Sequence, residues 1–190
     1  MPRHIFTYDP PDRFVAGTVG EPGSRTFFLQ ATADGRTTSV ALEKQQVSVL
    51  AERLEALLDE VVRRTAGEAN VPAITPAEVE DTAPLEAPIE EEFRVGTMAL
   101  AWDGDDEVVV IEAQAVTEDD AEEGEDDLPL IDDDEEGPPL LRVRLSGAAA
   151  RAFAKRATAV VSAGRPPCPF CGGPLDATGH VCPRANGYRR

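Results

Sequence analysis

A chain of 190 residues that is 42% apolar but only 5% aromatic can bury a core, and that core has to be built mainly from Val, Leu and Ala. A formal net charge of -18 argues against coating a polyanion, and the absence of any run of eighteen apolar residues excludes a membrane-spanning helix. The start "MPRHIFTYDPPDRF" has no apolar stretch of signal-peptide type, and all three cysteines fall within fifteen residues. A cytoplasmic protein with metal or redox chemistry at those cysteines is expected, rather than structural disulfides.

In chain order, Phe14 to Val19, Arg25 to Ala33 and Thr38 to Glu43 read as strands, from their alternation and β-branched content. Turn chemistry separates them: "VGEPGSR" and then Asp34-Gly35. Lys44 to Arg64 reads as a helix, with Val47, Leu50, Leu54, Leu57, Leu58, Val61 and Val62 in one broad stripe. Arg63, Arg64 and Gly67 mark its end. Gly67 to Glu92 holds four prolines and many acids, which is linker composition, with a short helix capped at Thr75-Pro76. Strands return at Phe93 to Trp102, Glu107 to Val116 and Leu141 to Ser146. A second helix follows from Gly147 to Ser162, with Phe153, Ala157 and Val160 on one face.

The order strand, strand, strand, helix thus occurs twice. Phe14 to Val19 reads F-x-x-G-T-V and Phe93 to Met98 reads F-x-x-G-T-M. Leu29 to Ala31 aligns with Ile111 to Ala113, and Val40 and Leu42 align with Val143 and Leu145. The expected fold is α+β: a duplicated unit forming a pseudo-symmetric antiparallel sheet, with pseudo-twofold symmetry, and a C-terminal zinc knuckle. The expected division is 1–66 and 93–164 for the two units, 67–92 for the linker and 165–190 for the knuckle and basic tail. This layout is similar to that of the single-strand-binding PUR and Whirly folds, an analogy of arrangement only.

Charge is uneven. Nine Lys/Arg and one acid lie from Arg142 onward, while Glu118 to Glu136 holds thirteen acids in nineteen positions. Such a run repels itself and reads as a disordered, solvated insertion over 118–137. The sharper alternative is an acidic arm that covers the chain's own basic C-terminal face or docks a basic partner, with "LPLI" inside it as a short sticky motif.

The cysteines read Cys168-x2-Cys171-x8-His180-x1-Cys182. Three thiols and an imidazole suit tetrahedral zinc. Glycines after Cys171 permit the turn of a knuckle, and His180 and Cys182, two apart in an extended segment, point to the same side. A Cys-x-x-Cys redox pair is the competing reading, but such pairs open helices, and here Gly172, Gly173 and Pro174 follow. Four local ligands close the coordination sphere, so the expected site is structural, and no catalytic or cofactor-binding residue is expected elsewhere. There is no phosphate-cradling glycine loop, no H-E-x-x-H and no G-x-S-x-G, and His4 reads as ordinary surface or strand edge.

The stretches "RHIFTYDPPDRFVAGTVGEPGSRTFFLQA" and "CPFCGGPLDATGHVCPRANGYRR" resemble an uncharacterised actinobacterial family, DUF3090, and the resemblance covers nearly the whole chain. The resemblance implies association with a histidine-phosphatase-like and a lipid-kinase-like protein, and it implies no reaction. The functional expectation is a non-enzymatic cytoplasmic adaptor with a structural zinc and a protein partner. The alternatives are a single-strand nucleic-acid binder regulated by its acidic insertion, and an accessory subunit of a phosphatase- and kinase-like pathway.

Overall fold

The computed structural model describes residues 2–117, 136–175 and 179–184. Of the disordered insertion expected over 118–137, residues 118–135 lie outside the described residues. Seven strands form one sheet: β1 (Ile5–Tyr8), β2 (Arg13–Val19), β3 (Thr26–Ala33), β4 (Arg36–Leu42), β5 (Glu91–Asp103), β6 (Val108–Ala115) and β7 (Leu140–Ser146). Helix α1 (Lys44–Arg64) follows β4, and α2 (Gly147–Ser162) follows β7. The sheet order is β1-β7-β6-β5-β4-β3-β2.

Local chemistry accounts for most of these elements. Asp34 and Gly35 both adopt positive φ, 53° and 73°, which makes the two-residue hairpin between the paired Ala33 and Arg36. The side chain of Gln46 accepts from the N–H of Glu43 (2.8 Å) at the start of α1. Ser146 caps α2 by accepting from the N–H of Ala149 (3.2 Å). Arg25, on the β2–β3 connection, donates to the carbonyls of Val160 (3.2 Å) and Ala163 (2.8 Å) at the other end of α2.

The expected antiparallel sheet is corrected. β2–β3–β4 and β5–β6–β7 are antiparallel meanders, but β4 and β5 join in parallel, as do β1 and β7. The sheet is therefore mixed. The two meanders run in the same direction, one after the other along the sheet. Ladder register also separates the two F-x-x-G-T words. Phe14 stands opposite Ala31, and Ala113, the counterpart of Ala31, stands opposite Met98. Met98, five positions beyond Phe93, thus occupies the place of Phe14. The second and third strands do agree, with Leu29 opposite Val40 and Ile111 opposite Val143.

The sheet curls. Only Asp9 to Asp12 connect β1, at one edge, to β2, at the other. A flat seven-stranded sheet would separate its edges by about 29 Å. The five chain steps from Tyr8 to Arg13 reach about 17 Å at most. Contacts across the curl agree: the hydroxyls of Tyr8 and Thr38 lie 2.7 Å apart, and Arg36 donates to the carbonyl of Thr7 (3.1 Å). Both helices lie on the inner face. One core joins Phe14, Leu29, Val40, Ile111, Val143 and Leu145 to Leu50, Leu54 and Leu58 of α1 and Phe153 of α2.

The segment after α1 is anchored tightly along its length. Gly147, the first residue of α2, packs so closely on it that a Cβ there would sit 2.8 Å from the carbonyl oxygen of Asn70. A one-turn helix at Ala77–Val79 follows. Asp81 then takes hydrogen bonds from Arg13 of β2 (2.6 and 3.0 Å) and Arg156 of α2 (3.0 Å). Leu85 lies against Gly17 on the outer face, where any side chain would collide with it at 2.6 Å. Gln30 brackets Glu86, donating to its carbonyl (3.0 Å) and accepting from its N–H (2.8 Å). This strap passes from the helix side around the edge strand β2 to the outer face.

Candidate metal centre

Beyond α2 the chain makes a compact turn. The N–H of Cys168 donates to the carbonyl of Gly173 (2.7 Å), and the N–H of Gly172 donates to the carbonyl of Cys168 (2.8 Å). Gly172 sits at φ +75°, a backbone that side-chain-bearing residues rarely adopt. Pro167 and Pro174 face each other as an isolated bridge, and the N–H of Leu175 donates to the carbonyl of Pro166 (2.9 Å). The turn therefore presents Cys168 and Cys171 together. The segment 179–184 brings His180 and Cys182 to meet them.

All four candidate ligands converge. Their ligand atoms lie within 4.8 Å of one another, and the group could hold a metal ion. The sulfurs of Cys168 and Cys182 are 3.8 Å apart, and Cys171 Sγ is 3.2 Å from His180 Nε2. Two sulfurs at about 2.3 Å from a tetrahedral zinc also stand about 3.8 Å apart. Cys168 and Cys182 are buried, and Cys171 is half-buried.

The thiols perturb one another. Burial works to raise the Cys168 thiol, but the N–H groups of Cys171 and Phe170 and the neighbouring thiols hold it below the usual range. Cys171 moves the other way. The N–H of Gly173 favours its thiolate, yet burial and the thiols of Cys182 and Cys168 push it up. Three crowded thiols cannot all ionise without a positive charge among them. His180 Nδ1 is buried and has no hydrogen-bond partner among the described residues, while Nε2 faces Cys171.

The other histidine takes no part: His4 stacks on Phe6, with centroids 4.3 Å apart. A cleft of about 580 Å³ between β2, the strap and α2 was not foreseen from residue patterns. Phe14, Leu145 and Phe153 form its floor, and Arg13, Asp81 and Arg156 its polar wall. These arginines are engaged with the strap. Arg13 donates to Asp81 and to the carbonyls of Ala83 (3.0 Å) and Pro84 (2.9 Å). Arg156 donates to the carbonyls of Ala16, Asp81 and Ala83, each at 2.7 Å. On the outer face of the second meander, Arg142 pairs with Glu112 (2.5 Å), and Arg144 with Asp9, Asp103 and Asp106. A single-strand binder would present such strand-face arginines to phosphates. Among the described residues, no helix is long and apolar enough to cross a membrane.

Fold and site together define a mixed α+β protein with a Cys3His cluster near its C-terminus that could hold a metal ion. The chain belongs to DUF3090, a protein family of unknown function whose family model matches residues 6–182. No curated protein and no solved structure matches the chain.

Proposed function

We propose that the protein is a non-enzymatic interaction protein of the cytoplasm, whose C-terminal module is ordered by one zinc ion held by Cys168, Cys171, His180 and Cys182. The observation that carries this is the convergence of all four ligand atoms within 4.8 Å. A Cys3His set suits a borderline-soft ion that accepts tetrahedral geometry, which is zinc. It fills all four positions, whereas catalytic zinc keeps one open. Bound there, the ion supplies the charge that lets three thiolates coexist. The chain's own contribution is the Gly172 turn, which sets the first pair, and the extended His180-Val181-Cys182 segment, which sets the second.

The agreement in register of the second and third strands supports a duplication of the meander-and-helix unit. Partners of histidine-phosphatase-like and lipid-kinase-like type, or a role as an accessory subunit in their pathway, rest on family resemblance alone. The test is elemental analysis of the full chain purified without a metal-affinity tag. About one zinc per chain is expected, and Cys171→Ser should lose it. A metal-free chain whose tail resists protease equally well would overturn the reading.

A further inference from the structure

All three cysteines of the chain lie in the one cluster, and they differ in access. Cys168 and Cys182 are buried, at 5% and 6% exposure, while Cys171 is half-buried. Reactivity toward small oxidants follows thiolate character and access, so Cys171 is the sulfur that an oxidant in water meets first. It does not stand alone. The ligand atoms lie within 4.8 Å of one another, so both buried sulfurs are its neighbours. An accessible thiolate with a second thiol beside it is the arrangement that carries oxidation to a disulfide and stops it short of sulfinic acid. Coordination keeps this chemistry open, because a metal-bound cysteine is already the thiolate that oxidants attack.

We propose that Cys171 is an oxidation site for hydroperoxides, and that its disulfide with a buried cysteine of the cluster expels the metal. The second half rests on the reading of the cluster as a zinc site. With hydrogen peroxide, the Cys171 thiolate attacks one oxygen and the O–O bond breaks. Sulfenic acid forms at Cys171, and the leaving hydroxide takes a proton from solvent to become water. The thiolate of Cys168 or Cys182 then attacks the Cys171 sulfur. The S–S bond forms, the S–O bond breaks, and hydroxide leaves and takes a second proton. Two thiolates have given up two electrons in all, and one peroxide has become two waters. One thiolate and His180 then remain as ligands, where a structural zinc needs four. Exchange with an external thiol reverses the step and restores the full set.

The test treats the full-length, reduced and zinc-loaded chain with hydrogen peroxide, first equimolar and then in about tenfold excess. Released zinc is read with a chromogenic chelator. Disulfides are mapped by mass spectrometry after the remaining thiols are blocked. About one zinc per chain should be released, in step with an intrachain disulfide that contains Cys171. Dithiothreitol followed by zinc should restore the bound metal. A chain that keeps its zinc through the excess overturns the proposal and leaves the metal reading intact. So does a map that joins Cys168 to Cys182 with Cys171 still reduced, or one that finds Cys171 as sulfinic acid with no disulfide. A reduced chain that takes up no zinc overturns the metal reading instead. On that chain the same map still decides the oxidation site: a disulfide containing Cys171 upholds it, and any other product overturns it.

Discussion

Replacing Asp81 by Asn tests whether the strap is a structural clamp. The carboxylate lies between two guanidiniums whose side chains are mostly buried, with 16% exposure for Arg13 and 13% for Arg156. It takes two hydrogen bonds from Arg13 and one from Arg156. Hydrogen bonds to charged groups contribute roughly 1.5–3 kcal/mol each when removed from one side. Fully buried ion pairs lose roughly 3–5 kcal/mol when one partner is deleted. Asp81 is 31% exposed, so water compensates part of the loss. Asparagine also keeps one acceptor. A destabilisation of about 2–3 kcal/mol follows, read in urea at pH 7. For a chain of this length that is a fall of roughly 5–10 °C in melting temperature. Its pH dependence is diagnostic. The hydrogen bond from Arg13 is the main cause holding the Asp81 carboxyl below its ordinary range, against the opposing effect of burial. A depressed carboxylate contributes fully above its unfolded pKa of about 3.9, and that contribution is lost as pH falls through the lower folded value. The gap between wild type and variant should be constant above about pH 5 and shrink below about pH 4. A loss under about 0.5 kcal/mol, as for an ordinary surface change, would refute the clamp. A gap that stays constant into acid would refute its electrostatic origin.

Three further outcomes are expected. Phe153→Ala should cost about 3–5 kcal/mol in urea unfolding, because Phe153 is 2% exposed and stacks on Phe14 at 4.5 Å; a loss under 1.5 would mean that the site repacks. Gly147→Ala places a methyl 2.8 Å from the carbonyl oxygen of Asn70 and 2.9 Å from the side chain of Val71, and should cost about 1–3 kcal/mol; an unchanged midpoint would show that the strap yields there. Stripping the metal with a strong chelator should open protease sites beyond Ala163 while leaving the sheet's unfolding transition in place; identical digests before and after would contradict a metal-ordered tail.

The strands β2 to β7 and both helices were legible because their signals are local: alternation, an Asp-Gly turn, an apolar stripe. β1 was not. It is four residues next to prolines, and its pairing to β7 joins Ile5 to Leu140, far beyond any sequence window. The matching F-x-x-G-T words misled because β5 is thirteen residues long and its register shifts between Val95 and Met98. That bulge separates word from ladder position. The strap was hidden by its composition. Proline and acids suggest a linker, yet Asp81 finds Arg13 and Arg156 at separations of 68 and 75 residues, and nothing in a charge count shows such pairs. The four Cys and His positions were legible for the opposite reason. Their chemistry is specific to residue type, and they lie within fifteen positions, so local turns alone bring them together.

The strap follows from the way the two meanders join. β4 and β5 are parallel neighbours, so the chain must return from the end of one to the start of the other. An ordinary crossover would cover one face with its helix and re-enter directly. Here α1 lies on the inner face, where α2 must also pack, as the buried Arg151 pairing with Asp59 (2.6 Å) from α2 to α1 shows. The outer face of β2 to β4 still carries apolar residues that need cover, with Val15 at 2% and Ala41 at 0% exposure. A connection that rounds β2 and returns beneath the sheet meets both needs, bringing Leu85 onto Gly17 and Glu86 onto Gln30 before β5 begins. It also explains why arginines from two elements converge on one short segment. The turn around the edge exposes the carbonyls of Asp81, Ala83 and Pro84, which are outside any ladder, and Arg13 and Arg156 supply the donors that a sheet or helix would otherwise have provided.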